Sequence, residues 1–492
     1  MDPARRFFFV DNPRDLSHDP LILRGNFVNT ATVSPAPRDW LGHPRGLFIL
    51  FLTEMWERFS YYGMRALLIL YMTDHLILNA EKGQDILGYR TLKAGVQAFA
   101  NLTGFSGEMT VQIFSSQLYG FYTGFVYLTP FFGGILADRV FGQRKTVYIG
   151  GVLMAIGHFL MASEHLFFVA LLFLILGNGC FKPNISTQVG SLYAPGDARR
   201  DSAYTLFYMG VNLGAFLAPF ICGTLGQKVG WHYGFGAAGV GMIIGLFIYH
   251  FGRHLLPDDD FHKVHDRHQE HTPFTSTEWK KIWALVFLCA LNVVFWAVYE
   301  QQGNTLQLWA DDHTDWNFFG WEMPSSWYQS FNPFFIFLFA PLLDRFWARQ
   351  NAKGREPSST TKMGIGCILL GLAFVVMIFS AKGMTDGAKQ SILWLALTTW
   401  ILTIGELYLS PIGLSLVTKV APMRIVSMMM GVWLMSSFFG NYLSGYLGGY
   451  YELMSKEAFF TLMMAMGIGA GLIFIAARKP LQEMMKTEGA KI

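Results

Sequence analysis

Twelve apolar stretches punctuate the chain, at roughly 46–75, 111–137, 146–163, 165–190, 202–227, 232–252, 281–310, 326–344, 363–381, 390–418, 425–450 and 457–477. Each approaches or exceeds the ~20 residues a helix needs to cross a bilayer. No single soluble core absorbs twelve such segments. In lipid every backbone polar group must be satisfied internally, and runs of this length do that as helices. Composition agrees: 52% of residues are hydrophobic and only 14% charged, against about 25% charged in soluble domains. The predicted fold is an all-α integral membrane protein with twelve transmembrane helices in two six-helix halves. The expected divisions are an N-terminal tail (1–45), a first bundle (46–252), a polar linker (253–280), a second bundle (281–478) and a C-terminal tail (479–492). The tail 1–45 is polar and Pro-rich, and its FFFV run is too short for a signal peptide, so the first spanning stretch is expected to act as an uncleaved anchor.

Positive charge sets the predicted orientation. Of 37 Lys and Arg residues, six fall in the N-terminal tail, four after the last apolar stretch, seventeen in loops after even-numbered stretches and seven after odd-numbered ones. The excess marks the tails and even loops as cytoplasmic. The predicted location is the plasma membrane (the inner membrane in a bacterium), with both termini inside. The outer loop 311–322 fits, with Asp311, Asp312, Asp315 and Glu322 and no Lys or Arg. The interval 76–110 reads as an extracellular excursion without an assigned role. The halves echo each other: TPFFGGILADRVFGQRK (129–145) and FAPLLDRFWARQ (339–350) both run from Pro through apolar residues into Asp-Arg. Parallel repeats about an axis along the membrane normal are one transporter plan, with a site between them near the midplane.

Seven charges lie where lipid should be: Glu54, Glu57, Arg58, Arg65, Lys182, Glu300 and Glu406. Each costs ~2.5–3.5 kcal/mol at the bilayer centre on insertion scales, so these groups need partners or a wet cavity. At ~100° per residue, Glu54, Glu57, Arg58, Tyr61, Tyr62 and Arg65 fall in a stripe about 140° wide on the first helix. The other charges sit one per helix on the fourth, seventh and tenth. A purely structural ion-pair stripe would need matched partners on one neighbour, so a shared central cavity is the better reading. Lys182 lies in GNGCFKPNIS (177–186), where Pro183 removes a backbone hydrogen bond beside it. Glu406 precedes Pro411 on the equivalent helix of the second half. Two cross-half pairs are expected: Arg65–Glu300 towards the outside and Lys182–Glu406 towards the inside.

A cavity with both signs of charge suits a zwitterion. Arg58 and Lys182 can take a carboxylate, and Glu406 an ammonium. Tyr61, Tyr62, Tyr127, Trp309 and Trp433 supply apolar walls with polar handles. Asn212 and Asn332 can bond amides in either direction, or tie helices together. A carboxylate whose cationic partner comes and goes titrates as the protein changes shape, which is what proton coupling requires.

These motifs resemble a known family. EMWERFSYYG (54–63) is similar to the ExxERFxYYG signature of the proton-dependent oligopeptide transporters, and GGILADRVFGQRK (133–145) resembles the loop motif of the major facilitator superfamily. FYMGVNLGAFLAP (207–219), FWAVYEQQGNTLQLWA (295–310) and GELYLSPIGLSLVTKVAP (405–422) also resemble family blocks. The resemblance covers nearly all of 46–478. It implies the superfamily fold and proton-coupled uptake of di- and tripeptides by alternating access. By motif, Glu54, Glu57, Arg58 and Lys182 would form the proton-coupling cluster, with Glu57 the carrier. Arg58 and Lys182 would hold the peptide carboxylate, and Asn332 and Glu406 its amino group. Tyr62, Tyr127, Asn212 and Trp433 would line the site. Arg65–Glu300 and Lys182–Glu406 would be the gates. Many bacterial members carry an extra helix pair between the halves; 253–280 is too polar and short to supply it, so twelve helices are expected. Animal members use a histidine in the second helix. None occurs here between His75 and His158, which leaves proton handling to the glutamates.

Other classes fit less well. A related proton-coupled carrier of another small zwitterionic or peptide-like solute is the alternative. The chain has no GxSxG, HExxH or paired-aspartate motif, so no enzyme is expected. No cofactor, metal or nucleic acid is expected; the partners are peptide, protons and lipid, and a monomer should suffice. His262, His265, His268 and His271 recur every third residue without a cysteine, which reads as a solvated linker rather than a metal site. Cys180, Cys222, Cys289 and Cys367 lie in apolar runs and read as small hydrophobes.

Overall fold

A computed structural model describes residues 39–105, 107–194, 196–257, 273–385 and 387–486. Its described residues include twelve helices of 18 residues or more: α1 (Arg45–Tyr71), α2 (Val111–Leu136), α3 (Gln143–Leu160), α4 (Phe167–Ser191), α5 (Arg199–Ala218), α6 (Trp231–Gly252), α7 (Ser276–Tyr299), α8 (Phe331–Ala352), α9 (Ser359–Ala381), α10 (Ile392–Val420), α11 (Val426–Gly448) and α12 (Lys456–Met485). Eight helical segments are long and apolar enough to cross a membrane by length and composition alone. Among the described residues α1, α3, α8 and α11 miss that measure, α1 because it carries Glu54, Glu57, Arg58 and Arg65.

Five of the twelve long helices start at a side-chain cap. Thr110, Ser358, Ser391 and Ser455 each accept a first-turn backbone N–H through a side-chain oxygen, and Thr275 forms a reciprocal capping box with Glu278. Contacts follow one pattern twice. Helix α1 packs on α5 and α6, α2 on α4, and α3 on α4 and α6; likewise α7 packs on α11 and α12, α8 on α10, and α9 on α10 and α12. A shift of six helices maps one set onto the other. The sets meet through α2 against α11 and α5 against α8, a pairing that the same shift preserves. Internal prolines repeat too: Pro130 in α2 and Pro341 in α8, Pro183 in α4 and Pro411 in α10.

Several boundaries differ from expectation. The stretch 281–310 is not one helix: α7 gives way at Glu300–Gly303 to a 3₁₀ turn, and a short helix resumes at Thr305–His313. The cause is a close approach, because a Cβ on Gly303 would lie 1.9 Å from the Tyr119 hydroxyl. Asn304 at the break accepts a hydrogen bond from Ser116 Oγ at 2.9 Å. Residues 326–330 form a 3₁₀ segment, Ser325–Ser330, ahead of α8. Helix α12 runs on to Met485, past residue 478 at which the second bundle was expected to end. The interval 76–110 holds two short helices, Ile77–Glu81 and Tyr89–Leu102. The four linker histidines lie outside the described residues.

Glycine lets α4 sit close to its neighbours. Proline at 183 leaves the Gly179 carbonyl without its helical donor, and that carbonyl faces Gly133 of α2, where a Cβ would stand 1.9 Å from it. Asn184 Nδ2 fastens the contact, donating to the carbonyls of Cys180 at 2.7 Å and Gly133 at 3.3 Å. Gly133→Ala must therefore push α2 and α4 apart. Overpacking of this kind costs about 1–3 kcal/mol, so the purified variant should melt measurably below the parent protein. An unchanged melting temperature would show that the seam yields freely.

Candidate functional site

A cavity of about 600 Å³ lies among α1, α2, α4, α5, α7, α8, α10 and α11, within the range of small-molecule sites. The stripe on α1 supplies one wall. Glu54, Glu57 and Arg58 are almost fully buried. Arg58 grips Glu57 at two points: its Nη2 donates to Oε1 at 2.6 Å and its Nε to Oε2. Its Nε also lies 3.4 Å from Glu54 Oε1, while Glu54 Oε2 has no partner among the described residues. Glu54 and Arg58 line the cavity; Glu57 sits behind them. The opposite wall is organised around Glu406. Its carboxylate accepts from Asn332 Nδ2 at 2.9 Å and from the Tyr299 hydroxyl, and Asn332 also reaches Thr403 Oγ1 at 3.1 Å.

Arg65 lies 11 residues beyond Glu54 on α1, roughly 16 Å along the axis. It is paired with Glu300, and its Nε donates to the Tyr119 hydroxyl at 2.7 Å. The Tyr62 and Tyr119 rings stand 6.0 and 5.9 Å from its guanidinium. Other hydrogen bonds join the two helix sets near this end. Gln227 donates to Ser325 Oγ at 2.8 Å and accepts from Ser326 N at 3.0 Å. Trp327 Nε1 donates to Thr224 Oγ1 at 2.9 Å, and Ser330 Oγ to the Phe216 carbonyl at 2.9 Å. Towards the other end the lining side chains of Tyr204, Tyr208, Leu414 and Leu434 are exposed.

The structure brings together most of the residues singled out in the sequence. Arg58, Tyr62, Tyr127, Lys182, Asn212, Asn332, Glu406 and Trp433 all line the one cavity, as do Glu54, Arg65 and Glu300. Three expectations need correction. Lys182 and Glu406 do not pair: the ammonium lies 5.1 Å above the Tyr127 ring and has no ion pair among the described residues, while Tyr299 and Asn332 occupy Glu406. Tyr61 is not a cavity wall; it packs in the core with its ring 5.1 Å from the Arg58 guanidinium. Trp309 packs edge-on against Phe460 and at a tilt against His313, away from the cavity, because the chain breaks at Asn304 before reaching it.

Sequence reasoning missed Tyr299, Tyr119 and Asn292. Tyr299 directly precedes Glu300, and its hydroxyl orients Glu406. Tyr119, Thr123 and Tyr127 recur at four-residue spacing on one face of α2, which was a readable signal. Asn292 lines the cavity, donates to Ser436 Oγ at 2.7 Å and leaves Oδ1 unpartnered among the described residues.

The model of the POT family matches residues 144–263 and 259–463. The chain belongs to the POT family. It is therefore a multi-pass membrane transporter and not an enzyme. The peptide transporter YePEPT of Yersinia enterocolitica is 32% identical, over 94% of this chain and 99% of that protein. A di-/tripeptide transporter of Lactococcus lactis is likewise 32% identical, over 91% of this chain and 98% of that one. A crystal structure of a POT peptide transporter in complex with sulfate superposes with a TM-score of 0.77 at 31% identity, covering 92% and 98% of the two chains. Within the POT family frame, the charged stripe on α1 and the carboxylate on α10 line a single cavity.

Proposed function

We propose that this chain carries di- and tripeptides across the plasma membrane together with protons by alternating access. In this reading all twelve long helices span, in two six-helix halves with both termini cytoplasmic and no helix pair between the halves, and the monomer is the working unit. The repeated neighbour pattern and the paired prolines support two related halves; the distribution of Lys and Arg supports the orientation. On this orientation Arg65–Glu300 and the Gln227 contacts close the outer end, and the exposed Tyr204, Tyr208, Leu414 and Leu434 mark the end that opens to the cytoplasm.

One observation carries the substrate assignment: a lysine available to a carboxylate and an acid pre-oriented for an ammonium share one cavity. Lys182, held only over Tyr127, awaits the peptide carboxylate. Glu406, aimed by Tyr299 and Asn332, takes the amino terminus. Arg58 joins Lys182 only after Glu57 releases it. Protonating Glu57 removes the charge that makes the two-point grip strong. The proton thereby frees the guanidinium for the peptide, and loss of the proton on the inside reclaims it and expels the carboxylate. Glu54, with an open oxygen on the cavity, is the proton's entry.

Liposomes with an inward proton gradient and labelled dialanine test this. Intact peptide should accumulate only with the gradient. No uptake by well-folded protein would sink the peptide reading and favour another small zwitterion. Glu406→Ala removes ground-state binding of the amino terminus, so the KM for dialanine should rise at least tenfold with the maximal rate much less affected. Equal loss in both would move Glu406 from binding to the translocation step.

A further inference from the structure

Outside the central cavity, the helix Tyr89–Leu102 borders a second built feature. Between it, α2 and α4 runs a groove of about 920 Å³, apolar except for Thr91, Tyr122 and Thr129. Leu87, Gly88 and Thr91 line both this groove and an adjoining hollow of about 980 Å³. The hollow is charged, with Glu81, Asp85, Arg90, Lys93 and His165 on its walls. Lys93 is paired with Glu81, and His165 Nδ1 lies 3.4 Å from Asp85 Oδ2. Arg90 is exposed and has no ion pair among the described residues.

Gly95 is the telling residue. It stands inside the helix, where glycine is a poor choice, and a Cβ there would meet nothing within 4 Å. It is not a close-packing glycine like Gly133. Its missing side chain widens the groove it lines.

We propose that groove and hollow together bind one phospholipid of the surrounding bilayer with a zwitterionic headgroup. An acyl chain fills the groove. Arg90 takes the phosphate, for which its guanidinium fork is suited, and the exposed carboxylates of Glu81 and Asp85 take the ammonium. Mixed charge in the hollow disfavours a purely anionic headgroup. In the chain, the helix Tyr89–Leu102 lies between α1 and α2. Phe99 on the same helix packs on Phe121 of α2 and Tyr442 of α11, with ring centroids 5.6 and 5.4 Å away. A lipid bound here therefore steadies a helix that touches both helix sets.

The full-length protein, delipidated in detergent, would be offered phosphatidylethanolamine or phosphatidylglycerol and followed by native mass spectrometry and thermal melting. One phosphatidylethanolamine should be retained, at least fivefold over phosphatidylglycerol, and the melting temperature should rise by several degrees. Gly95→Leu fills the groove with a better helix former, so the variant should fold, yet retain at least tenfold less lipid. Arg90→Ala should lose the headgroup preference while still holding an acyl chain. Equal lipid retention in the Gly95→Leu variant overturns the groove assignment. Equal retention of both lipids by the parent protein overturns the headgroup assignment.

Discussion

Glu57→Gln should collapse concentrative uptake to equilibrium while peptide exchange continues. A potential of 100 mV supplies ~2.3 kcal/mol per proton and one pH unit ~1.4 kcal/mol more, together enough for a several-hundredfold gradient of neutral peptide. Glutamine keeps the shape of Glu57 but cannot carry the proton, and it grips Arg58 only weakly. The guanidinium then stays available, so labelled dialanine inside liposomes should still exchange for unlabelled dialanine outside. Accumulation under an inward proton gradient should fall from hundredfold to about unity. The burial of Glu57 behind Arg58 makes this outcome sharp, because the residue acts on the peptide only through the arginine. If gradient-driven accumulation survives Glu57→Gln but is lost in Glu54→Gln, the carrier is the cavity-facing glutamate instead.

Arg65→Ala should open the outer end. The substitution strands Glu300, which is 2% exposed, without its cation, and breaking a buried pair from one side costs about 3–5 kcal/mol. The outer-closed state should lose population by a factor of about 10² to 10⁴ on that cost. A cysteine replacing Gln227, in a background freed of the native cysteines, reports this directly. Its reaction with an impermeant maleimide should accelerate at least a hundredfold on adding Arg65→Ala, and similarly on adding Glu300→Gln. Since both remove one interaction, the double variant should add little to either. Additive effects, or unchanged reactivity, would mean that the pair does not hold the outer end shut.

The architecture was legible because each spanning helix announces itself by length and apolarity. The cavity was legible because seven charges cannot face lipid and must share a polar interior. Contacts that depend on distance between helices were not. Lys182 and Glu406 carry opposite charges on equivalent helices, and pairing them was a natural expectation. It fails because Tyr299 and Asn332 reach Glu406 and the Tyr127 ring covers the ammonium. Trp309 looked like a continuation of α7, but the helix breaks at Asn304, beside Gly303, where an added Cβ would lie 1.9 Å from the Tyr119 hydroxyl. The order of Glu57 behind Glu54 and Arg58 was also invisible, since all three share the same stripe.

The contact between α2 and α11 has a mechanical meaning. A Cβ on Gly120 would come within 2.6 Å of the Gly445 Cα, and one on Gly445 within 2.5 Å of the Ser116 carbonyl. Ridges of side chains normally interlock where helices cross; at these two glycines backbone meets backbone instead. Aromatic pairs flank the contact, Phe121 with Tyr442 and Phe125 with Phe438, their ring centroids 4.9 and 5.5 Å apart. The seam is a bearing with glycine at its axle and rings at its rim. Rocking about it is resisted by those rings and by the charged and polar catches beside it, and a proton or a peptide can release the catches.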